Sequence, residues 1–129
     1  MNQYKANVET IASFLRELSL LLNSPNFDYK KNFIFAGKSE RKKNTETMLQ
    51  LNMNVIDVIE VLKKLKISEY YQSVPDDKNS DMPDFHVFFT FVSEMEIYIK
   101  LRIQNTKNVL CISFHFPEYS HGRMPYNNE

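Results

Sequence analysis

Apolar side chains at Ile11, Phe14, Leu15, Leu18 and Leu22 recur at the spacing of one helix face, while Arg16, Glu17 and Ser19 fall on the other. The pattern predicts an amphipathic helix over about 6–23, ended by Asn23-Ser24-Pro25. Asn32 to Ala36 reads as a short strand closed by Gly37. Further helices are expected within 45–73. A brief one runs from Thr45 to Leu51, and another starts at Asn54, with Asp57 as its capping-box partner. Val55, Ile59 and Leu62 form its buried stripe, and Glu60, Lys63 and Lys64 its wet side. Ser68 is placed to cap a turn through Tyr70 and Tyr71, and the stretch Pro75–Pro83 carries the breaker chemistry of a loop.

From Asp84 the period drops to two. Strands are expected at about 84–92, 96–104 and 108–116. In the first, Phe85, Val87, Phe89 and Phe91 alternate with His86, Phe88, Thr90 and Val92. In the second, Ile97, Ile99, Leu101 and Ile103 alternate with Glu96, Tyr98, Lys100 and Arg102. In the third, Leu110, Ile112, Phe114 and Phe116 alternate with Val109, Cys111, Ser113 and His115. Short connections make this an antiparallel meander. The expected class is α+β, a C-terminal antiparallel sheet packed against helices, in a single domain over 1–129. The tail from Pro117 reads as loop.

Register decides which polar side chains meet, because a slip of one residue turns a strand over. A last hairpin loop of even length sets Tyr98 opposite His115, Ile99 opposite Phe114, Lys100 opposite Ser113 and Leu101 opposite Ile112. A loop around Ser93–Met95 sets His86 opposite Arg102 and Phe88 opposite Lys100. The expectation is one patch holding Tyr98, Lys100, Arg102, His115 and His86. A solvated sheet face needs no function. Solubility alone, however, selects Glu, Lys, Thr and Ser more often than two histidines and a tyrosine. Phe88 and Val92 on the same face predict partial cover by a helix.

Charge narrows the picture. Sixteen Lys and Arg balance sixteen Asp and Glu, so affinity for nucleic acid must come from a local patch. The segment Lys30–Lys43 supplies one, with Lys30, Lys31, Lys38, Arg41, Lys42 and Lys43 against Glu40 alone. Such a run is often merely solvated. The single cysteine excludes an internal disulfide and fits a reducing compartment. With no signal peptide and no membrane span evident, a cytoplasmic location is expected.

Cys111, in an apolar strand, reads as a small half-buried residue rather than a nucleophile. His115, Glu118 and His121 match no strong zinc spacing, so no metal is expected. Two glycines in the whole chain argue against a glycine-rich nucleotide cradle, and Gly37-Lys38 makes no phosphate loop. No cofactor is expected. Tyr70 and Tyr71 read as packing residues, and His86 has the alternative of a satisfied histidine beneath a helix.

Cleavage of RNA by its own 2′-hydroxyl needs a base, an acid and cations for the phosphorane, and needs no metal. His115 is the first candidate for proton transfer and His86 the second. Tyr98 would position or protonate an oxygen, while Lys100 and Arg102 would stabilise charge. Lys38, Arg41, Lys42 and Lys43 would hold the flanking backbone.

The order KNTETMLQLNM, VIDVIEVLKKLKISEYYQS, EIYIKLRI, VLCISFHFPEY, from about Arg41 to Pro125, resembles the motility quorum-sensing regulator (MqsR-like) toxin family. The resemblance implies a RelE-like α+β fold and a sequence-selective mRNA endonuclease of a toxin–antitoxin pair, neutralised by a separate antitoxin protein. The family's tyrosine on the penultimate strand matches Tyr98. The basic residue after the Ser-Phe pair is a lysine in the best-known member and His115 here. The lysine after that member's aromatic pair falls at Gln72, where this chain carries no charge. The expected function is therefore a metal-independent endoribonuclease acting on mRNA. The alternatives are a non-catalytic nucleic-acid-binding module and a protein-interaction domain using the same face. A cleft around Tyr98 and His115 favours the first, a flat basic face the second, an exposed apolar patch the third.

Overall fold

A computed structural model describes residues 2–35 and 38–127. Ala36 and Gly37, the expected end of the first strand, lie outside the described residues. The helices are α1 (Val8–Leu22), α2 (Tyr29–Asn32), α3 (Arg41–Leu51) and α4 (Val55–Leu62), with a 3₁₀ turn at Ile67–Glu69. The strands are β1 (Phe33–Phe35), β2 (Tyr70–Val74), β3 (Phe85–Val92), β4 (Met95–Gln104) and β5 (Asn108–His115). They form one sheet in the order β1-β5-β4-β3-β2, with β1 parallel to β5 and every other pair antiparallel. The fold is α+β.

Local chemistry sets the helix ends. Asn7 accepts the Thr10 amide at 2.8 Å, so α1 starts at Val8 rather than at 6. Ile11, Phe14, Leu18 and Leu22 turn inward. Asn54 and Asp57 exchange side chain–backbone bonds at 2.9 Å, a complete capping box at the head of α4. Helix α3 starts at Arg41, ahead of the expected Thr45, and Asn52 closes it in the left-handed conformation (φ 55°). Tyr70 and Tyr71 belong to β2, where a turn was expected.

The two hairpins depart from the expected registers in instructive ways. The last has a three-residue connection, Asn105–Lys107, with Asn105 and Thr106 at φ 56° and 57°. An odd loop alone would have put His115 on the wrong face. A bulge restores it: Leu101 pairs with Cys111 rather than Ile112, while Lys100 pairs with Ser113, Ile99 with Phe114 and Tyr98 with His115. Tyr98 and His115 are therefore cross-strand partners through two offsetting irregularities. Beyond the bulge the expected faces reverse, and Val109 and Cys111, both 0% exposed, enter the core.

The β3–β4 connection is a two-residue turn, Ser93-Glu94, with φ 50° and 68°. It pairs His86 with Leu101, Phe88 with Ile99 and Phe89 with Tyr98. The expected pairings of His86 with Arg102 and Phe88 with Lys100 are off by one residue, so every β3 side chain is on the other face. The cause is legible in β3 itself. Val87 and Phe88 are 0% exposed and Phe89 is 7% exposed, so the strand is apolar on both sides and its alternation carries no parity.

One face of the sheet carries the main core. There α1 and α4 pack Phe14, Leu18, Val58 and Leu62 onto Phe88, Ile97, Ile99, Leu101 and Phe114. The other face carries a smaller cluster of Val74, Val87 and Phe89 with Tyr71, Tyr98 and Met124. Two stretches of unpaired strand backbone find partners outside the sheet. Tyr4 exchanges two backbone bonds with Ser73 beside β2, at 3.0 and 2.8 Å. Where β5 outruns β1, Asn44 of α3 donates to the Ile112 carbonyl and accepts the Phe114 amide, both at 2.9 Å. Asn44 thereby clamps the bulge that sets His115.

Candidate functional site

His115 lies on the second face, 3% exposed, its ring stacked on Tyr98 at 5.3 Å and 29°. Its Nδ1 meets the Phe116 carbonyl at 2.9 Å and its Nε2 meets Glu40 Oε1 at 2.9 Å. Both partners are acceptors, so each ring nitrogen of His115 faces an oxygen. Glu40 gathers donors from three directions. Ser113 Oγ reaches Oε1 at 3.1 Å, and Lys43 Nζ reaches Oε2 at 3.2 Å while also pairing with Glu118 at 2.9 Å. Burial pushes the Glu40 carboxyl upward, but the bonds from His115, Lys43 and Ser113 outweigh it and hold it below its usual range.

Burial, with Glu40 adding to it, raises the Tyr98 phenol, which leaves it a proton-bearing donor at neutral pH. Lys100, opposite Ser113 across β4 and β5, is half-buried. That burial lowers its ammonium, with Glu40, Asp76 and Asp77 pulling the other way.

In front of this group opens a cavity of about 320 Å³. Glu40, Tyr71, Gln72, Phe89, Tyr98 and His115 form its floor and walls, and the loop 117–121 its rim. The volume is at the lower end of the roughly 300–1,000 Å³ typical of ligand pockets. Tyr71 stands edge-on to Phe89 at 5.4 Å, with Lys5 Nζ 3.7 Å from its ring centroid. His121 stacks on Phe89 at 3.9 Å. Its Nδ1 meets the Gly122 carbonyl at 2.7 Å and its Nε2 meets Glu96 at 2.9 Å. Burial lowers this imidazole, but the bonds to Gly122 and Glu96 more than offset it, and the net shift is upward.

Of the residues expected in one patch, the structure joins Tyr98, His115 and Lys100. His86 lies on the opposite face beneath α1, edge-on to Phe14 at 4.6 Å, with Nδ1 2.7 Å from Ser73 Oγ. Burial pushes it down to about 4, against a smaller upward pull from Asp84, so it is neutral at pH 7. Arg102 shares a strand face with Lys100 but is turned to the loop before β3. It binds Asp76 at 2.8 Å, the Pro83 carbonyl at 3.0 Å and Gln104 at 2.9 Å. Its guanidinium lies 4.2 Å from the Phe85 ring centroid. Lys38, Arg41 and Lys42 are exposed, whereas Lys43 is drawn into the Glu40 pair.

Helix α3 opens on Arg41, Lys42 and Lys43 with no acid in its first turn. For Arg41 and Lys42 that placement opposes the helix dipole, while Lys43 is paired with Glu40 and Glu118. Cys111 is fully buried rather than half-buried, and its thiol is pushed up by that burial. Among the described residues, no cluster of three His, Cys, Asp or Glu is arranged to hold a metal ion.

A larger hollow of about 730 Å³ lies between α1 and the far end of β3 and β4. Its walls include Glu9, Glu17 and Asp84, and its two cationic candidates are His86, held neutral, and Arg102, already paired. It suits an anionic ligand poorly. The smaller cavity is the better candidate, and sequence reasoning missed four of its members. Glu40 read as the lone acid of a basic run, Tyr71 as packing, Phe89 as core, and His121 as part of a weak metal spacing.

A family model described as "Motility quorum-sensing regulator, toxin of MqsA" matches residues 29–116, well over half of the chain. No curated protein matches it. No helix among the described residues is long and apolar enough to cross a membrane.

Proposed function

This chain belongs to the motility quorum-sensing regulator toxin family, and from that premise we propose that it is a metal-independent endoribonuclease that cleaves mRNA. As a family member it is a toxin of a toxin–antitoxin system, with an antitoxin protein as its counterpart. Its α+β architecture is consistent with a small RelE-like toxin fold. The observation that carries the nuclease reading is the Tyr98–His115 pair at the floor of a cavity, with Lys43 paired to two of its lining carboxylates, Glu40 and Glu118.

In this reading an RNA phosphate displaces the Glu40 carboxylate from His115 and Ser113, since it presents the same acceptor chemistry. His115 then exchanges a proton with the reacting oxygens, and Tyr98 donates a hydrogen bond to one of them. Lys100 and Lys43 offset the charge gathered on the phosphorane. Lys38, Arg41 and Lys42, exposed at the head of α3, hold the flanking backbone. Arg102 is left the task of fixing the loop before β3, and His86 a packing role. The reaction would take place in the cytoplasm.

The test is antitoxin-free protein incubated with mixed RNA in excess chelator. Discrete fragments are expected, with Tyr98→Phe cutting more slowly than wild type. RNA that is bound but never cut would favour a non-catalytic binding module.

A further inference from the structure

One histidine cannot both accept the 2′-hydroxyl proton and deliver one to the departing 5′-oxygen in a single step. We propose that His121 is the second proton carrier of this cavity, the acid for the leaving oxygen, an inference that rests on the nuclease reading. His121 lies in the C-terminal segment, beyond the matched residues 29–116.

The geometry pairs it with His115. Each ring has Nδ1 fixed on a neighbouring carbonyl, Phe116 for His115 and Gly122 for His121. Each presents Nε2 to a carboxylate, Glu40 or Glu96, at 2.9 Å. Both line the same cavity, joined by a continuous row of rings: His115–Tyr98 at 5.3 Å, Tyr98–Phe89 at 5.4 Å and Phe89–His121 at 3.9 Å. The Gly122 carbonyl and the Glu96 carboxylate together favour a His121 ring with both nitrogens protonated, the form an acid needs, whereas the carboxylate at His115 has a second partner in Lys43 to turn to. The net upward shift of His121 agrees. The groups facing it are Glu96 from β4, Tyr71 from β2, Glu118 within its own loop, and Glu69 and Arg123 across the neighbouring hollow.

Before the step, Glu40 turns to Lys43 alone and His115 Nε2 gives up its proton to solvent; the 2′-oxygen then bonds to phosphorus as its own proton passes to that freed nitrogen. The P–O5′ bond breaks, and the 5′-oxygen takes the proton from His121 Nε2. The products are a 2′,3′-cyclic phosphate and a 5′-hydroxyl, with no oxidant or reductant involved.

The experiment compares two RNA oligonucleotides spanning a site the wild type cuts, one ordinary and one with sulfur bridging at the 5′ position. A thiolate leaves without an acid. His121→Asn is expected to lose about 10²–10⁴-fold on the ordinary substrate, the usual worth of a positioned acid, and to stay near wild type on the sulfur substrate. Its pH–rate profile should also lose the basic limb. His115→Gln should be slow on both substrates. Glu96→Gln, which leaves the ring in place but removes the charge behind it, should move the basic limb to lower pH. Equal losses for His121→Asn on both substrates, or none on either, would overturn the assignment while leaving the nuclease reading intact. A wild type that cuts neither substrate would overturn both.

Discussion

Beneath α1, His86 meets Phe14 edge-on at 4.6 Å, and its Nδ1 shares a hydrogen bond with Ser73 Oγ. Through the sheet, His115 stacks on Tyr98 at 5.3 Å with a carbonyl at one nitrogen and Glu40 at the other. Both rings are largely removed from water, yet their surroundings ask different things of them. Hydrocarbon and one hydroxyl hold His86 neutral. His115 instead has an acceptor at each ring nitrogen. Burial alone therefore does not say what a histidine does; the polar atoms buried with it decide.

The comparison sharpens first on activity. His115→Gln keeps an amide donor toward Glu40 and should slow RNA cleavage by about 10²–10⁴-fold. His86→Phe should leave the cleavage rate within a few fold of wild type, by the same gel assay. Loss of activity in both would mean the two faces are not functionally separate.

Neighbouring phenylalanines give the stability counterpart. Phe88→Ala opens a hole in the main core, at 0% exposure, and should cost about 3–5 kcal/mol in urea unfolding. Phe89→Ala should cost less, because its cluster borders a cavity that water can enter, and it should impair cleavage more. The reverse ranking would contradict the assignment of faces.

The pH dependence of folding reads His86 directly. Its folded value of about 4 lies below the ordinary 6.5, so between those limits the unfolded chain binds a proton that the folded chain refuses. Stability then rises with pH across that window, and about 3 kcal/mol is lost on acidification from 6.5 to 4. His86→Phe should flatten that part of the curve in denaturant titrations. An unchanged slope would place the linkage elsewhere.

The smallest effect concerns the exposed cations. Replacing Lys38, Arg41 and Lys42 by Ala should lower the slope of log affinity against log salt by about 2 for single-stranded RNA, at roughly 0.7 per lost phosphate contact. No change in filter-binding titrations would make that run a solvated helix end.

The helices and the period-two strands were legible because one-sided burial writes a repeat into α1, α4 and β4. Strand β3 was not, because Val87, Phe88 and Phe89 are buried on both faces and parity vanishes. That lost parity moved His86 into the wrong patch. The Tyr98–His115 pairing was found, but through an even loop; the molecule reaches it with an odd loop and a bulge held by Asn44. No sequence rule links Glu40 to His115, which are brought together only by the path of α3 along the β5 edge. Likewise, nothing local marks His121 as the ring that stacks on Phe89.

The central claim is that the second face of the sheet performs metal-free transesterification of RNA. Its most direct test is the chemistry of the ends left by antitoxin-free protein in excess chelator. The account predicts 2′,3′-cyclic phosphate and 5′-hydroxyl termini that disappear in His115→Gln. Intact RNA, 5′-phosphate ends, or cleavage unaffected by His115→Gln would contradict it.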